Sequence, residues 1–284
     1  MSNLQDGDFE LNGFRAGDRD SVFVTGFEPS EPSSRNQDTP NPSGHGIHFG
    51  RDYYESSVWT LEFGATGVDR IAAMSALNAA WRKVNHKPGE ESVLRFRLAG
   101  RERRVYGRPR NFLSTVGPSL TRGHITAAGT FVTSDPFVYG DEPISMSATM
   151  YASSKGGLKT PLKGNLTGVK AGVRNGAIPD VGGETSAPFV AVINGPVRNP
   201  SISSGDWTIQ VDTTLAYDQS LTIDTRKNTV MRNDGTSLGG SLTRTSRLAS
   251  ARLNPGPASI LFSGIDPTGT SRVTVTWHPT YYTV

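Results

Sequence analysis

Phe189-Val190-Ala191-Val192-Ile193-Asn194-Gly195-Pro196-Val197 is the stretch on which the fold turns. A short apolar run closed by a turn dipeptide reads as a buried strand, and Asn194-Gly195 is the pair expected to close a hairpin. Working downstream, residues 207–211, 220–223, 228–231, 259–262 and 273–277 repeat the pattern, and Asp234-Gly235 supplies another turn. No amphipathic helix interrupts them. Short strands at this spacing are the signature of a β-sandwich. The absence of a fixed-period repeat excludes a propeller or a solenoid.

Upstream, Ser134-Asp135-Pro136-Phe137-Val138-Tyr139-Gly140-Asp141-Glu142-Pro143 is dense in breakers and marks a boundary. A chain of 284 residues suits two domains, here 1–140 and 141–284. The first domain opens with Phe9-Glu10-Leu11, the turn pair Asn12-Gly13 and a strand over 21–25. Val58-Trp59-Thr60-Leu61-Glu62-Phe63 is β in character. Ile71, Met74, Leu77, Trp81 and Val84 mark one face of a helix over about 67–86. Thr66 and Asp69 resemble its capping box, and Lys87-Pro88-Gly89 stops it. Leu94, Phe96 and Leu98 alternate with Arg95 and Arg97, a half-buried strand with a basic outer face. Residues 103–110 and 124–132 read as two more strands. Two stretches have no assigned element: 28–50, a Pro/Ser/Asn/Gly connection long enough to be a mobile or functional loop, and 153–187, rich in Gly, Lys and Thr. The expected fold is therefore mainly β, with one helix in the first domain.

Composition narrows the function. Gly 32 and Pro 18 make about 18% of the chain against a usual ~12%, which favours frequent turns. With no cysteine, disulfides, thiolate zinc sites, iron–sulfur clusters and cysteine nucleophiles are excluded. The acidic start carries no apolar run, so no signal peptide is expected, and no stretch approaches the ~20 apolar residues of a membrane span. The net charge of +3 is too small to imply nucleic-acid binding, but it is unevenly placed. Residues 1–40 hold eight acids against three arginines, and residues 69–124 hold twelve bases against four acids. Complementary faces of this kind fix register between copies of one protein, and a head-to-tail contact closes into a ring when the rotation permits.

Catalytic patterns are weak. His45-Gly46-Ile47-His48, with Asp52 nearby, is the only close histidine pair, and its glycine-containing loop favours solvated side chains over a metal site. His86, His124 and His278 stand alone. Gly-x-Ser-x-Gly and phosphate-loop patterns are missing. Asp206, Asp212, Asp218 and Asp224 could include a glycosidase pair, but their spacing is more simply that of turns. The expectation is a non-enzyme without metal or cofactor. Two surface chemistries remain. The basic cluster Arg95, Arg97, Arg101, Arg103 and Arg104 is a candidate intersubunit or channel-facing surface. Trp207, Tyr281 and Tyr282, with Trp277, are candidates for stacking on sugar, although isolated aromatics in a β domain are more often core.

Several of these segments, taken in order, resemble the distal tail proteins of long-tailed bacteriophages, also called minor tail proteins. They are Ile193-Asn194-Gly195-Pro196-Val197-Arg198-Asn199-Pro200-Ser201-Ile202, Leu221-Thr222-Ile223-Asp224-Thr225, Asn233-Asp234-Gly235, Leu253-Asn254-Pro255-Gly256 and Trp277-His278-Pro279-Thr280-Tyr281-Tyr282. The opening strand pair, His48-Phe49-Gly50-Arg51-Asp52, the tryptophan strand and the single helix resemble the family's ring-forming domain. The resemblance implies a structural virion protein of the tail tip, assembled in host cytoplasm. Its N-terminal domain would form a hexameric ring joining the major tail tube protein to a tip or baseplate hub, or other tail-associated protein, with DNA passing only in transit. Its C-terminal domain would be a galectin-like β-sandwich facing other tip proteins or host surface glycan. The alternative is a carbohydrate-binding module contacting cell-wall glycan. A tail-associated hydrolase would need an acid–base pair that the residues do not supply.

Overall fold

The computed structural model describes residues 4–82, 87–115, 123–150 and 179–284. The chain divides into two compact units, Met1–Asp141 with Tyr281–Val284, and Glu142–Thr280. Both are built from antiparallel strands, and the one α-helix among the described residues lies in the first.

In the first unit the strand Phe9–Leu11 turns through Asn12 (φ 50°) and Gly13 (φ 83°) into Phe14–Ala16. Two successive positive φ values match the twist of a tight hairpin, which is why Asn-Gly occupies it. The sheet then runs Phe14–Ala16, Phe9–Leu11, Ser92–Leu98, Arg101–Thr115, Ile125–Thr133, Val58–Ala65, Val22–Glu28. Alternation does what the sequence requires: Leu94 and Phe96 enter the core, and Arg95 and Arg97 take the other face. The sheet curls, because Phe27 on its last strand reaches Phe9 (ring centroids 5.0 Å) and Trp59 (5.4 Å). Curling removes much of the open edge that a flat sheet would expose.

The helix spans Arg70–Trp81 and buries Met74, Leu77 and Trp81. Trp81 packs against Phe63 and Phe112 at 5.5 and 5.9 Å and donates its indole N–H to the Asn111 carbonyl (3.1 Å). The helix starts later than the capping-box reading places it. Gly67 sits at φ 89°, outside helical space, so Asp69 rather than Thr66 precedes the first turn, and it makes no side-chain cap. Ile71, read as a core position, is 61% exposed. Residues 83–86, which include Val84 and His86, lie outside the described residues.

Between Val22–Glu28 and Val58–Ala65 the expected loop is instead a two-step ladder. Ser34–Arg35 pairs with Tyr53–Tyr54, and Thr39–Pro40 with Ile47–His48. Two-residue strands are too short for an alternation signal, and Pro40 is tolerated because the ladder is all edge. The breaker-dense boundary also hides a strand: Val138–Gly140 is fully buried and pairs with Arg103 and Arg104.

The second unit has two sheets. One runs Ile144–Thr149, Arg272–Trp277, Phe189–Asn194, Ser220–Asp224, Thr229–Arg232. The other runs Trp207–Gln210, Val197–Ser204, Thr214–Leu215, with Leu261–Ile265 also paired to Val197–Ser204. Ala191, Ile193 and Leu221 from the first sheet share one core with Val197, Ile202 and Ile209 from the second. Asn194-Gly195 accordingly closes no hairpin. It is the corner where the chain leaves one sheet for the other, so that Ile193 and Val197 bury in the same core. Glycine is required there by space, since a Cβ on Gly195 would lie 2.1 Å from the Ala216 carbonyl oxygen. Of the stretch 153–187, residues 153–178 lie outside the described residues. Gly182 and Gly183 have φ of 68° and 84°, and Gly183 bridges to Thr280.

Gly129 gives the first unit a direct test. A Cβ there would lie 2.6 Å from the Trp81 ring. Gly129→Ala is expected to destabilise the unit by about 1–3 kcal/mol through overpacking, read from urea unfolding followed by tryptophan fluorescence. An unchanged midpoint would mean that the helix is not seated on this strand.

Candidate functional site

The arginine-rich strands pair so that Arg95 stands opposite Arg104, Arg97 opposite Glu102, Phe96 opposite Arg103 and Leu98 opposite Arg101. The five arginines therefore do not share one face. Arg95, Arg97 and Arg104 lie on the outer side, and Arg103 projects to the side of Phe96 and Val105.

Like charges directly opposite each other in a sheet repel. Here Asp141 lies between them. Arg95 grips its carboxylate with Nε (2.9 Å to Oδ1) and Nη2, while Arg104 donates from Nε to Oδ1 (2.9 Å) and from Nη2 to the Asp141 carbonyl (2.8 Å). Glu10, on the neighbouring strand, completes the cluster at 3.3 Å from Arg95. The hydrogen bond from Arg95 to Asp141 raises the guanidinium above its ordinary pKa despite the opposing effect of burial, and Glu10 adds to the rise. Burial would push the Asp141 carboxyl up, but the hydrogen bonds and charges of Arg95 and Arg104 outweigh it and hold it below the usual carboxylate range.

Arg97 meets Asp6 (3.4 Å) and Glu102 (3.2 Å) and donates to the Leu4 carbonyl. Arg103 is nearly buried, its guanidinium 3.7 Å from the centre of the Tyr281 ring. Arg101 is exposed. Much of the charge asymmetry is thus satisfied within one chain. The acidic start (Asp6, Asp8, Glu10) pairs with Arg97, Arg15 and Arg95.

The aromatic candidates separate. Trp207, in the second unit, stacks on Phe189 (5.0 Å) and donates its indole N–H to the Arg252 carbonyl (2.7 Å). Trp277 is core, 1% exposed, with its N–H on the Val181 carbonyl. Tyr281, under Arg103, and Tyr282, beside Phe137 at 5.9 Å, belong to the first unit. Tyr282 is half exposed. Asp224 accepts from the backbone N–H groups of Arg226 and Lys227, the turn role its spacing suggests. Among the described residues no three His, Asp or Glu side chains converge as metal ligands, and no helix is long and apolar enough to cross a membrane.

Sequence reasoning marked 28–50 as a mobile or functional loop but missed the short ladder and the exposed apolar side chains of the arm over 29–57. None of its residues except Ser57 is buried, yet it carries Ile47, Phe49, Tyr53 and Tyr54, with Phe49 85% exposed. Its corner is fixed: the Gly50 N–H donates to Asp38 Oδ1 (2.9 Å), and a Cβ on Gly50 would meet the Gln37 carbonyl at 2.1 Å. The available signal was four large apolar residues in a segment otherwise made of polar, charged and turn-forming residues.

With this geometry in hand, the chain can be compared with known proteins. No family model matches the sequence, and the search of curated proteins found no match. Solved structures are similar in fold. The Dit protein of phage SPP1, described as a paradigm of the hub adsorption apparatus in phages infecting Gram-positive bacteria, superposes with a TM-score of 0.59 at 12% identity, covering 96% of this chain and 98% of that one. A chain of the phage P2 baseplate in its activated, calcium-containing conformation gives 0.50 at 11% identity, with 91% of each chain covered. The strontium-containing form of that baseplate gives 0.50 at 10% identity. At these identities the likeness establishes a shared fold across both units.

The clasp around Asp141 predicts a pH dependence. Its folded pKa is depressed, so its contribution is present above the unfolded value of about 3.9 and is lost as pH falls below that. Asp141→Asn is expected to cost about 2–4 kcal/mol at pH 7, because two largely covered guanidinium groups lose the carboxylate they share and only Arg95 keeps Glu10. The penalty should shrink at pH 3. Urea unfolding at both pH values checks this, and an equal penalty at both would rule the clasp out.

Proposed function

We propose that this chain is a structural protein of a bacteriophage tail tip, acting by assembly rather than catalysis. In this reading the first unit packs copies of itself into a hexameric ring between the tail tube and the tip or baseplate hub, and the second unit is offered to other tip proteins. The observation that carries the proposal is the correspondence with the SPP1 Dit protein over nearly the whole of both chains. A likeness confined to one β domain would carry far less, since β-sandwiches serve many functions. The exposed apolar arm supports it, because a chain that remained a monomer would have little use for Phe49 in water.

The arginine cluster enters the proposal in reduced form. Arg95, Arg97 and Arg104 already have acids of their own chain, so Arg101 is the member best placed to face a neighbour. The glycan-binding alternative draws little support, since Trp207 spends one ring face on Phe189 and Tyr281 spends one on Arg103.

The test is the mass of the purified chain in solution, alone and with tail-tube and hub proteins, with negative-stain images of the main peak. A six-fold ring with a central channel is the expected outcome. A chain that stays monomeric in every mixture and binds cell-wall glycan would overturn the proposal.

A further inference from the structure

The buried face of the helix Arg70–Trp81 continues past Met74 to a flank that its own chain leaves open. Ile71, Ser75 and Asn78, with Met74, form one wall of a groove whose other wall is Phe112, Ser114, Thr115 and Ile125. The groove has a volume of about 250 Å³, and an apolar cavity of about 150 Å³ already admits a benzene ring. Two observations mark it as unfinished. Ile71 is 61% exposed at its mouth. The Oδ1 of Asn78, buried in the wall, accepts no hydrogen bond, and buried polar atoms normally have a partner.

The same unit carries a projection of matching character. Phe49 stands 85% exposed on the fixed corner of the arm, with Ile47 two residues before it, so neither fills the groove of its own chain. Charge agrees with shape. The arm holds Glu31, Asp38, Asp52 and Glu55 against Arg35 and Arg51. The groove is flanked by Arg70 and Arg82, which donate to the backbone carbonyls of Gly67 and Phe112, with Asp69 as the nearby acid in sequence. His48 and Arg51, either side of the tip, bring N–H donors of the kind Asn78 lacks.

We propose that the groove between the helix and the Arg101–Thr115 strand receives the Phe49 tip of the arm of a second copy of this chain. Arm and groove are different surfaces, so each copy gives one contact and receives one. Such a head-to-tail contact propagates around a ring. The inference rests on the ring reading above and names the contact that would build the ring.

The absence of native cysteine makes the test clean. Arg51→Cys with Ser75→Cys places one thiol beside the tip and one at the groove, both on exposed residues. A short bis-maleimide should convert the oligomer into a ladder of covalently linked chains on a denaturing gel, and neither single variant should go beyond a dimer. Phe49→Asp, at a site exposed enough to leave folding unchanged by circular dichroism, should lower the assembled fraction at least tenfold. Oligomers that form equally well from Phe49→Asp and give no ladder would overturn this contact and leave the ring reading standing. A chain monomeric alone and with tail-tube protein would overturn both.

Discussion

Two arginines placed directly across an antiparallel pair cannot stay there without a negative charge between them. Strand register puts Arg95 opposite Arg104, and the hydrophobic alternation of Leu94, Phe96 and Val105 forbids a one-residue slip, which would turn every side chain to the other face. Asp141 resolves the conflict. Its backbone N–H donates to the Glu102 carbonyl (3.2 Å) and its carboxylate is shared by both guanidinium groups. The consequence reaches past electrostatics. Asp141 is the last residue of the first unit before the chain departs, so the ion cluster also sets where that unit ends and holds Val138–Gly140 against the sheet.

The chain's end is tied to the same region by different means. After the second unit, Tyr281–Val284 return to the first. Tyr281 lies beneath Arg103, and Val284 packs against the aromatic core. Arg103 sits on the side of the sheet that carries Phe96, Leu94 and Val105, and the ring face of Tyr281 offers its charge an attractive surface. Neighbouring arginines thus have separate tasks: Arg95 and Arg104 secure the exit of the chain, and Arg103 secures its return.

What the sequence made legible was whatever one element decides by itself. The alternation of 92–98, the Asn12-Gly13 hairpin, the helical spacing of Met74, Leu77 and Trp81, and the short strands from 189 onward are local patterns, and they came through. What escaped depended on partners distant in sequence. Asn194-Gly195 looks like a hairpin turn until the strands on either side prove to belong to different sheets. The ladder of 29–57 shows no period because its strands are two residues long. The arginine cluster was visible, but its acids were not assignable: Asp141 lies 46 residues from Arg95, and Glu10 lies 85 on the other side. Spacing reveals that charges exist and leaves open which of them neutralise one another. The groove beside Ile71 escaped for a related reason, since helical spacing groups Ile71 with Met74, and only the packing of Phe112 and Ile125 leaves it exposed.

The second unit is spliced into the first, leaving after Asp141 and rejoining at Tyr281. A pull on the inserted unit is therefore shared between two covalent crossings loaded in parallel, where a terminal domain would bear it on one. Each crossing ends at an anchor of its own, an ion cluster at one and a ring under a guanidinium at the other. Detaching the second unit mechanically would mean rupturing both.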